Sequence, residues 1–239
     1  MKKLFLVLLF VSFINCSKDD DSISANALNT YQLDLISYFK SIALGFENGG
    51  VSEITRRWET DLNIFIGGSP SDELLSELER IKSEINNLTS TDFAINIVND
   101  SLTSNYYIFF GKGQEYANIF RLQSSAVENT WGLFNVFWNG LNQINYGHSY
   151  VDIVEPNLQQ QKHTLREELT QSLGLGKDSY LYNDSVFHQQ LNIATEYSQI
   201  DRDLIRLLYH PEMEIGLNSI QVEQRLTNIL LKENELNSL

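Results

Sequence analysis

The sequence predicts an α+β domain in which a mixed, mostly antiparallel, twisted sheet packs on helices. Two kinds of hydrophobic periodicity support this class. Apolar residues recur at steps of three and four over 28–46 and 74–85, which is typical of helices that face a core. In several short stretches between 93 and 154 they alternate with polar residues, which is typical of strands. The order of helix, strand, helix, several strands and then helices favours the α+β class.

The first half of the chain predicts a helix, a strand and a second helix. The first helix ends at Gly49 and Gly50, because paired glycines break a helical pattern. A strand is predicted over 54–66, closed by further glycines. Pro70 favours a helix start, since proline is tolerated in the first turn. The apolar stripe of that second helix consists of Leu74, Leu78, Ile81 and Ile85.

The second half predicts four short strands and two helices. The strands are expected at 93–98, 106–110, 132–138 and 149–154, with turns at Asn139-Gly140 and Tyr146-Gly147. A helix is expected after Pro156, ending at Gly174, and a last helix from Asp201 to Pro211. These elements place the chemically informative segments on helices rather than on loops.

The composition limits the number of domains and the partners. The chain has 17 basic and 31 acidic residues, and its formal charge is −14. A surface of this sign repels phosphate backbones, so we expect no nucleic-acid partner. Hydrophobic residues make up 42% of the chain, which is enough for one core. We see no repeat or linker that would divide residues 28–239, so a single domain is expected there.

The first 15 residues predict a signal peptide. Lys2 and Lys3 precede an apolar run over 4–14, which is shorter than the about 20 residues that a membrane-spanning helix needs. The stretch Phe13-Ile14-Asn15-Cys16 then resembles a lipobox, with Asn15 in place of the usual Gly or Ala. This resemblance implies a lipidated Cys16. The alternative is an ordinary signal peptide that is cut near Cys16.

The cysteine content favours lipidation. Cys16 is the only cysteine, so no internal disulfide can form, and acylation would consume a thiol that is a liability in an oxidising compartment. Residues 16–27 then form a polar, charged stretch that predicts a flexible acidic tether. We therefore expect an outer-membrane lipoprotein of the bacterial envelope, held by its lipid anchor. The Lys/Asp-rich run 18–21 resembles a signal for export to the cell surface, and a spacer facing the periplasm is the alternative.

The most informative motif is the segment 167–175, Glu-Glu-Leu-Thr-Gln-Ser-Leu-Gly-Leu, on a predicted helix. It resembles the active-site helix of the zincin metallopeptidases, whose pattern is H-E-x-x-H followed by x-x-G. More closely, it resembles an uncharacterised family of zincin-like bacterial lipoproteins. The resemblance implies a zincin-like fold over most of 50–215 and makes Glu168 the candidate general base. Glu167 and Gln171 stand where the two zinc-binding histidines would be.

These replacements argue against a catalytic zinc. A zincin helix aims two imidazoles at one ion, and the intervening glutamate activates the bound water. Gln171 offers a carboxamide oxygen, which is a poor zinc ligand, and Asp178 alone does not rebuild the site. Lys177 stands where some zincins place a third ligand. We expect no cofactor; the alternative is one divalent ion held by His163, Glu167 and Gln171, since His163 lies one turn before Glu167.

Three functions fit these observations. The leading hypothesis is a non-catalytic pseudoenzyme whose cleft binds an extended peptide or an envelope protein, because strand addition to a sheet edge needs no metal. The candidate cleft residues are Glu167, Glu168, Gln171 and Asp178. The first alternative is an active metal-dependent peptidase that uses Glu168 as its base. The second is a structural envelope scaffold, in which the adjacent carboxylates simply lie on a solvated helix face.

Overall fold

The structure, a computed structural model, describes residues 27–47, 51–128, 130–190 and 193–238. In these ranges six strands form one sheet. They are β1 (Arg57–Trp58), β2 (Leu62–Gly68), β3 (Ile95–Val98), β4 (Tyr106–Phe110), β5 (Gly132–Trp138) and β6 (Gln143–Val151). Across the sheet the order is β5, β6, β4, β2, β3, and β1 lies beside the first residues of β6.

The predicted fold class is wrong in the direction of its strands. The pairings β1–β6, β4–β6, β2–β4 and β2–β3 are all parallel. Within the described residues, only β5 runs antiparallel to its neighbour, β6. The domain is therefore α/β with a predominantly parallel sheet, and the α+β zincin-like architecture with a mostly antiparallel sheet is not what the chain adopts.

Stagger between strands explains why the pattern was misleading. Parallel strands usually need a long crossover, and the link between β3 and β4 is short. However, β3 pairs with residues 62–65 of β2, whereas β4 pairs with residues 64–68 on its other side. Since β4 begins at about the level where β3 ends, a short connection is enough to join two parallel strands.

Helices cover both faces of this sheet. They are α1 (Thr30–Ala43), α2 (Asp72–Leu88), α3 (Gly113–Ile119), α4 (Leu158–Gln171), α5 (Gln199–Leu208) and α6 (Ser219–Asn237). Four of them, α1, α2, α4 and α5, correspond to predicted helices with shifted bounds. Helices α3 and α6 were not predicted, and the helix predicted at 201–211 is therefore not the last one.

Two local predictions were also wrong. Pro70 lies before the helix, because the side chain of Ser71 caps α2 by accepting from the backbone N–H of Leu74. The predicted turn at Tyr146-Gly147 lies inside β6. A Cβ at Gly147 would lie 2.7 Å from the Tyr106 ring, so this glycine permits close packing rather than a turn.

The core has two parts, one on each side of the sheet. The main cluster joins one sheet face to α1, α2, α4, α5 and α6, and Trp58 and Phe39 are among its largest buried side chains. A smaller aromatic cluster of Phe109, Tyr116 and Tyr150 lies under α3. Phe109 belongs to the smaller cluster while Ile108 and Phe110 belong to the main one, as expected for alternation along a strand.

The predicted signal peptide and Cys16 lie outside the described residues, and so does the predicted tether except for its last residue, Ala27. Across the described ranges, no helix combines the length and the apolar character that a membrane span requires. The predicted domain 28–239 contains all of the elements above.

Candidate functional site

Helix α4 carries the candidate motif, and its ends are defined by specific residues. The Asn157 side chain accepts hydrogen bonds from first-turn backbone N–H groups, and the Gln160 side chain accepts in return from the N–H of Asn157 at 2.9 Å. After the helix, Gly174 adopts φ +116°, where a Cβ would overlap the carbonyl of Arg56. Only glycine fits this left-handed position without strain.

A buried ion network anchors α4 to α2. The guanidinium of Arg166 is fully buried and lies 2.8 Å from Glu77 and 2.9 Å from Glu84. It also lies 4.3 Å from the centre of the Tyr197 ring, which gives a cation–π contact. These contacts hold one side of the helix, so that the Glu167 and Glu168 side faces away from α2.

That side of α4 borders β5. Gly132 allows the close approach, because a Cβ there would overlap the methyl group of Thr164 and lie 3.0 Å from Oε1 of Glu168. In the described structure β5 pairs only with β6, so its other side is a sheet edge. The candidate general base therefore lies directly beside the edge strand.

The register between β5 and β6 determines which backbone N–H and C=O groups of β5 are not bonded to β6. The N–H of Asp152 donates to the carbonyl of Trp131 at 2.6 Å, which makes these two residues a hydrogen-bonded pair. Because bonded and non-bonded pairs alternate in an antiparallel ladder, Gly132, Phe134 and Val136 occupy non-bonded positions. Their N–H and C=O groups point away from β6, toward the edge.

The backbone groups of Gly132, the first of these three residues, are already bonded to a side chain. The Thr130 hydroxyl donates to the carbonyl of Gly132 at 2.5 Å and lies 3.3 Å from its N–H. The backbone groups of Phe134 and Val136 have no such hydrogen-bond partner among the described residues. They offer two donors and two acceptors in the spacing that an added strand would use.

A cavity of about 440 Å³ lies beside this edge. Its walls come from β5 and the residues before it, from α4, and from the loop after α4. The lining residues are Thr130, Trp131, Gly132, His163, Thr164, Glu167, Glu168, His188 and Gln189. Two glutamates lie in this lining, which contains neither Lys nor Arg, so the cavity has an acidic character.

Glu167 is paired with His163, one turn earlier on the helix. Nε2 of His163 lies 3.4 Å from Oε2 of Glu167, and Nδ1 lies 2.9 Å from the carbonyl of Ala194. Burial lowers the pKa of His163, but the Glu167 carboxylate and the Ala194 carbonyl outweigh burial and leave the pKa raised. The imidazole therefore keeps its proton to higher pH than a free histidine, and in its charged form it pairs with Glu167.

The side chain of Gln171 has a different hydrogen-bond partner. Its Nε2 donates to Oδ1 of Asp178 at 2.5 Å, and its side chain is buried. Burial, together with the charges of Glu167 and Glu47, raises the pKa of Asp178 to about 7. Asp178 lines a separate depression with Glu47 and Lys177, whereas Gln171 lines neither this depression nor the cavity that contains Glu167 and Glu168. The four predicted cleft residues therefore do not share one site.

Glu168 differs from its neighbours because no described cation pairs with it. Burial raises the pKa of Glu168 well above its usual range, and the negative charges of Glu167, Asp178 and Glu47 raise it further. This residue is part of the lining of the cavity. The arrangement favours either a protonated Glu168 or a cation that approaches it from outside.

These residues do not fit a zincin metal site. The Gln171 carboxamide is bonded to Asp178, and Lys177 forms an ion pair with Glu53 at 3.1 Å. His163 and Glu167 are two adjacent groups without a third ligand. In the described ranges no group of three or more His, Cys, Asp or Glu residues has an arrangement that could hold a metal ion.

Sequence reasoning located α4 but missed the opposite wall of the cavity. Gly132, Thr130 and the His188–Gln189 pair were not among the predicted site residues. Gly132 begins a predicted strand, and a glycine inside or beside a strand is a signal of close approach. Which element approaches it is decided by the tertiary structure.

The structure defines an α/β domain in which an edge strand and its neighbouring helix border an acidic cleft. The chain belongs to a family described as protein of unknown function DUF2927, whose model matches residues 32–228. This match includes both β5 and α4. It gives no metallopeptidase assignment. No curated protein matches the chain.

Proposed function

We propose that this chain is a lipid-anchored protein of the bacterial envelope whose cleft binds an extended peptide without hydrolysing it. The observation that carries the proposal is the edge of β5. Its first residue, Gly132, lines a cavity bordered by α4, and the backbone groups of Phe134 and Val136 farther along the strand point away from β6. An extended peptide can add to such an edge through main-chain hydrogen bonds, and side-chain pockets then give specificity.

The absence of hydrolysis is inferred from the motif. Glu167 and Glu168 of segment 167–175 line the cavity beside α4. At the positions of the two metal-binding histidines, Glu167 is paired with His163 and Gln171 with Asp178. Water activation by Glu168 would need an ion that these side chains are not arranged to hold.

Backbone-methylated peptides test the binding mode. The full-length chain in detergent would be titrated with N-terminally labelled hexapeptides of alanine and serine around a central lysine, followed by fluorescence anisotropy. Because a strand bonds to its neighbour through alternate residues, methylating one alternate set of amides should abolish binding, and methylating the other set should not. Equal tolerance of both sets would overturn strand addition.

Metal and product analysis separate the alternatives. The purified chain would be assayed for bound metal by mass spectrometry and for peptide cleavage with and without added zinc. We expect intact peptide in both conditions. Stoichiometric metal together with cleavage that is lost in Glu168→Gln would establish the peptidase alternative. Absence of binding by every peptide would leave the scaffold alternative.

The envelope location is a separate part of the proposal. It rests on the leader, the lipobox-like stretch 13–16 and the single cysteine. Metabolic labelling with palmitate in a bacterial host should label the chain, and Cys16→Ala should remove the label. A labelled Cys16→Ala chain, or an unlabelled parent chain, would contradict lipidation at this residue.

A further inference from the structure

We infer that the cleft selects peptides with a basic side chain, Lys or Arg, which would lie against the carboxyl group of Glu168. This inference rests on the proposed function, because it names the chemistry of the peptide that the β5 edge would receive. It is carried by the geometry of the edge, by the pairing of the two glutamates and by the charge of the cavity wall.

The geometry directs a ligand side chain toward Glu168. A Cβ on Gly132 would point at Thr164 and Glu168, so this position of β5 faces α4. In a strand pair, residues directly opposite each other project to the same face of the sheet. A peptide strand that bonds to Phe134 and Val136 would continue past Gly132, whose own backbone groups are bonded to Thr130. The peptide residue opposite Gly132 would then project its side chain over α4, about one strand spacing of 4.8 Å farther from β6.

The pairing leaves Glu168 as the carboxyl group without a counter-ion. Glu167 has His163 as an ion-pair partner at 3.4 Å, whereas Glu168 forms no ion pair with any described residue. The cavity lining holds no Lys or Arg that could compete with a ligand cation. The raised pKa of Glu168 is consistent with the lack of a counter-ion, because burial and neighbouring negative charges penalise its ionised form.

Charge complementarity selects among the possible occupants. An acidic ligand would meet two carboxylates inside a chain of formal charge −14. A neutral side chain such as Gln could donate a hydrogen bond to Glu168 but would supply no counter-charge. A Lys or Arg side chain places its cation on the glutamate, while its aliphatic part covers the apolar portions of the cavity wall.

The test compares side chains at one position of the same probe. The full-length chain in detergent is titrated with N-terminally acylated hexapeptides of alanine and serine that carry Lys, Gln or Glu at the central position. Acylation removes the terminal ammonium, so the central side chain is the only possible cation. We expect the Lys peptide to bind about tenfold more tightly than the Gln peptide, as a close charge pair would give.

Matched variants separate a local effect from the overall charge. Glu168→Gln should reduce the ratio of Lys to Gln affinity to near one. Glu223→Gln removes the same formal charge from an exposed ion pair with Lys40, so the ratio should stay close to that of the parent chain. An equal fall of the ratio in both variants would mean non-specific attraction and would overturn the inference.

Failure of the inferred preference for a basic side chain can be distinguished from failure of the proposed function. If all three peptides bind equally, the cleft binds peptides and the basic preference is wrong. If no peptide binds, the proposed function itself fails. Concentration-dependent dimers in size-exclusion chromatography, with no peptide bound, would show that the β5 edge pairs with a second copy, which overturns both.

Discussion

Oε1 of Glu168 lies so close to the backbone of Gly132 that a Cβ on this glycine would be 3.0 Å away from it. The same Cβ would overlap the methyl group of Thr164. A helix carrying a desolvated carboxyl group and an edge strand are thus in contact through a residue that has no side chain. The cleft has its present shape because residue 132 has no side chain.

Gly132→Ala should therefore destabilise the fold and alter the cleft. Because Thr164 is short and branched, it cannot move aside, and α4 must shift away from β5. We expect a loss of about 1–3 kcal/mol in the free energy of unfolding, the usual cost of overpacking. Chemical denaturation followed by circular dichroism measures this loss.

Gly140→Ala provides the matched control. It lies in the turn of the same hairpin, and a Cβ there would meet no atom within 4 Å. Its unfolding free energy should remain within about 0.5 kcal/mol of the parent. Equal losses in both variants would mean that the hairpin, and not the contact with α4, is sensitive.

The two sides of this contact were not equally predictable. The strand at 132–138 was predicted with the bounds that β5 has, because its composition and its turn are local signals. Its position at the edge, and the parallel direction of the other strands, depend on crossovers and stagger that periodicity does not encode. The pairing of His163 with Glu167 follows from helical spacing, whereas the bond between Gln171 and Asp178 depends on how the chain turns after Gly174.

Arg166→Met should cost about 3 kcal/mol of unfolding free energy. The substitution leaves Glu77 and Glu84 without their buried partner, and breaking a buried ion pair from one side is more costly than losing a surface pair. Arg80 still contacts Glu77 at 3.0 Å, so we expect the lower end of the usual range. Urea denaturation measures the loss.

Arg225→Met is the surface counterpart of that variant. Arg225 forms a largely exposed ion pair with Glu214 at 2.9 Å, so its loss should cost less than about 1 kcal/mol. If Arg166→Met were as mild as this control, the network between α2 and α4 would not anchor the motif helix.

Asp178→Asn should change the pH dependence of stability. Because the pKa of Asp178 is raised to about 7, the folded chain binds a proton here between the usual carboxyl range and pH 7 that the unfolded chain does not. The contribution of this group to the unfolding free energy therefore falls as pH rises across that window. The variant should melt above the parent at pH 8, and the two should converge near pH 4.

Differential scanning calorimetry from pH 4 to pH 8 measures this difference. Asp92→Asn, at an exposed position, is the control and should show no pH-dependent difference from the parent. A parallel shift of Asp178→Asn at all pH values would contradict the raised pKa and point to a change in packing around Gln171.

Glu167→Gln should lower the pKa of His163. The carboxylate at 3.4 Å is the main group that offsets the effect of burial on this imidazole. Without it, burial dominates, and the ring should lose its proton at lower pH. In the parent, the folded pKa lies above the unfolded one, so the pair stabilises the fold at low pH and this contribution is lost as pH rises through the folded pKa.

Titration of the His163 ring by NMR in Glu167→Gln and in the control Glu223→Gln measures this shift. An unchanged titration in Glu167→Gln would mean that the two side chains are neighbours without an ionic contact. Glu167 would then carry a free charge in the cavity, and a basic ligand would meet two unpaired carboxylates instead of one. The preference for Lys over Gln peptides should in that case survive Glu168→Gln, which ties this measurement directly to the assignment of the ligand site.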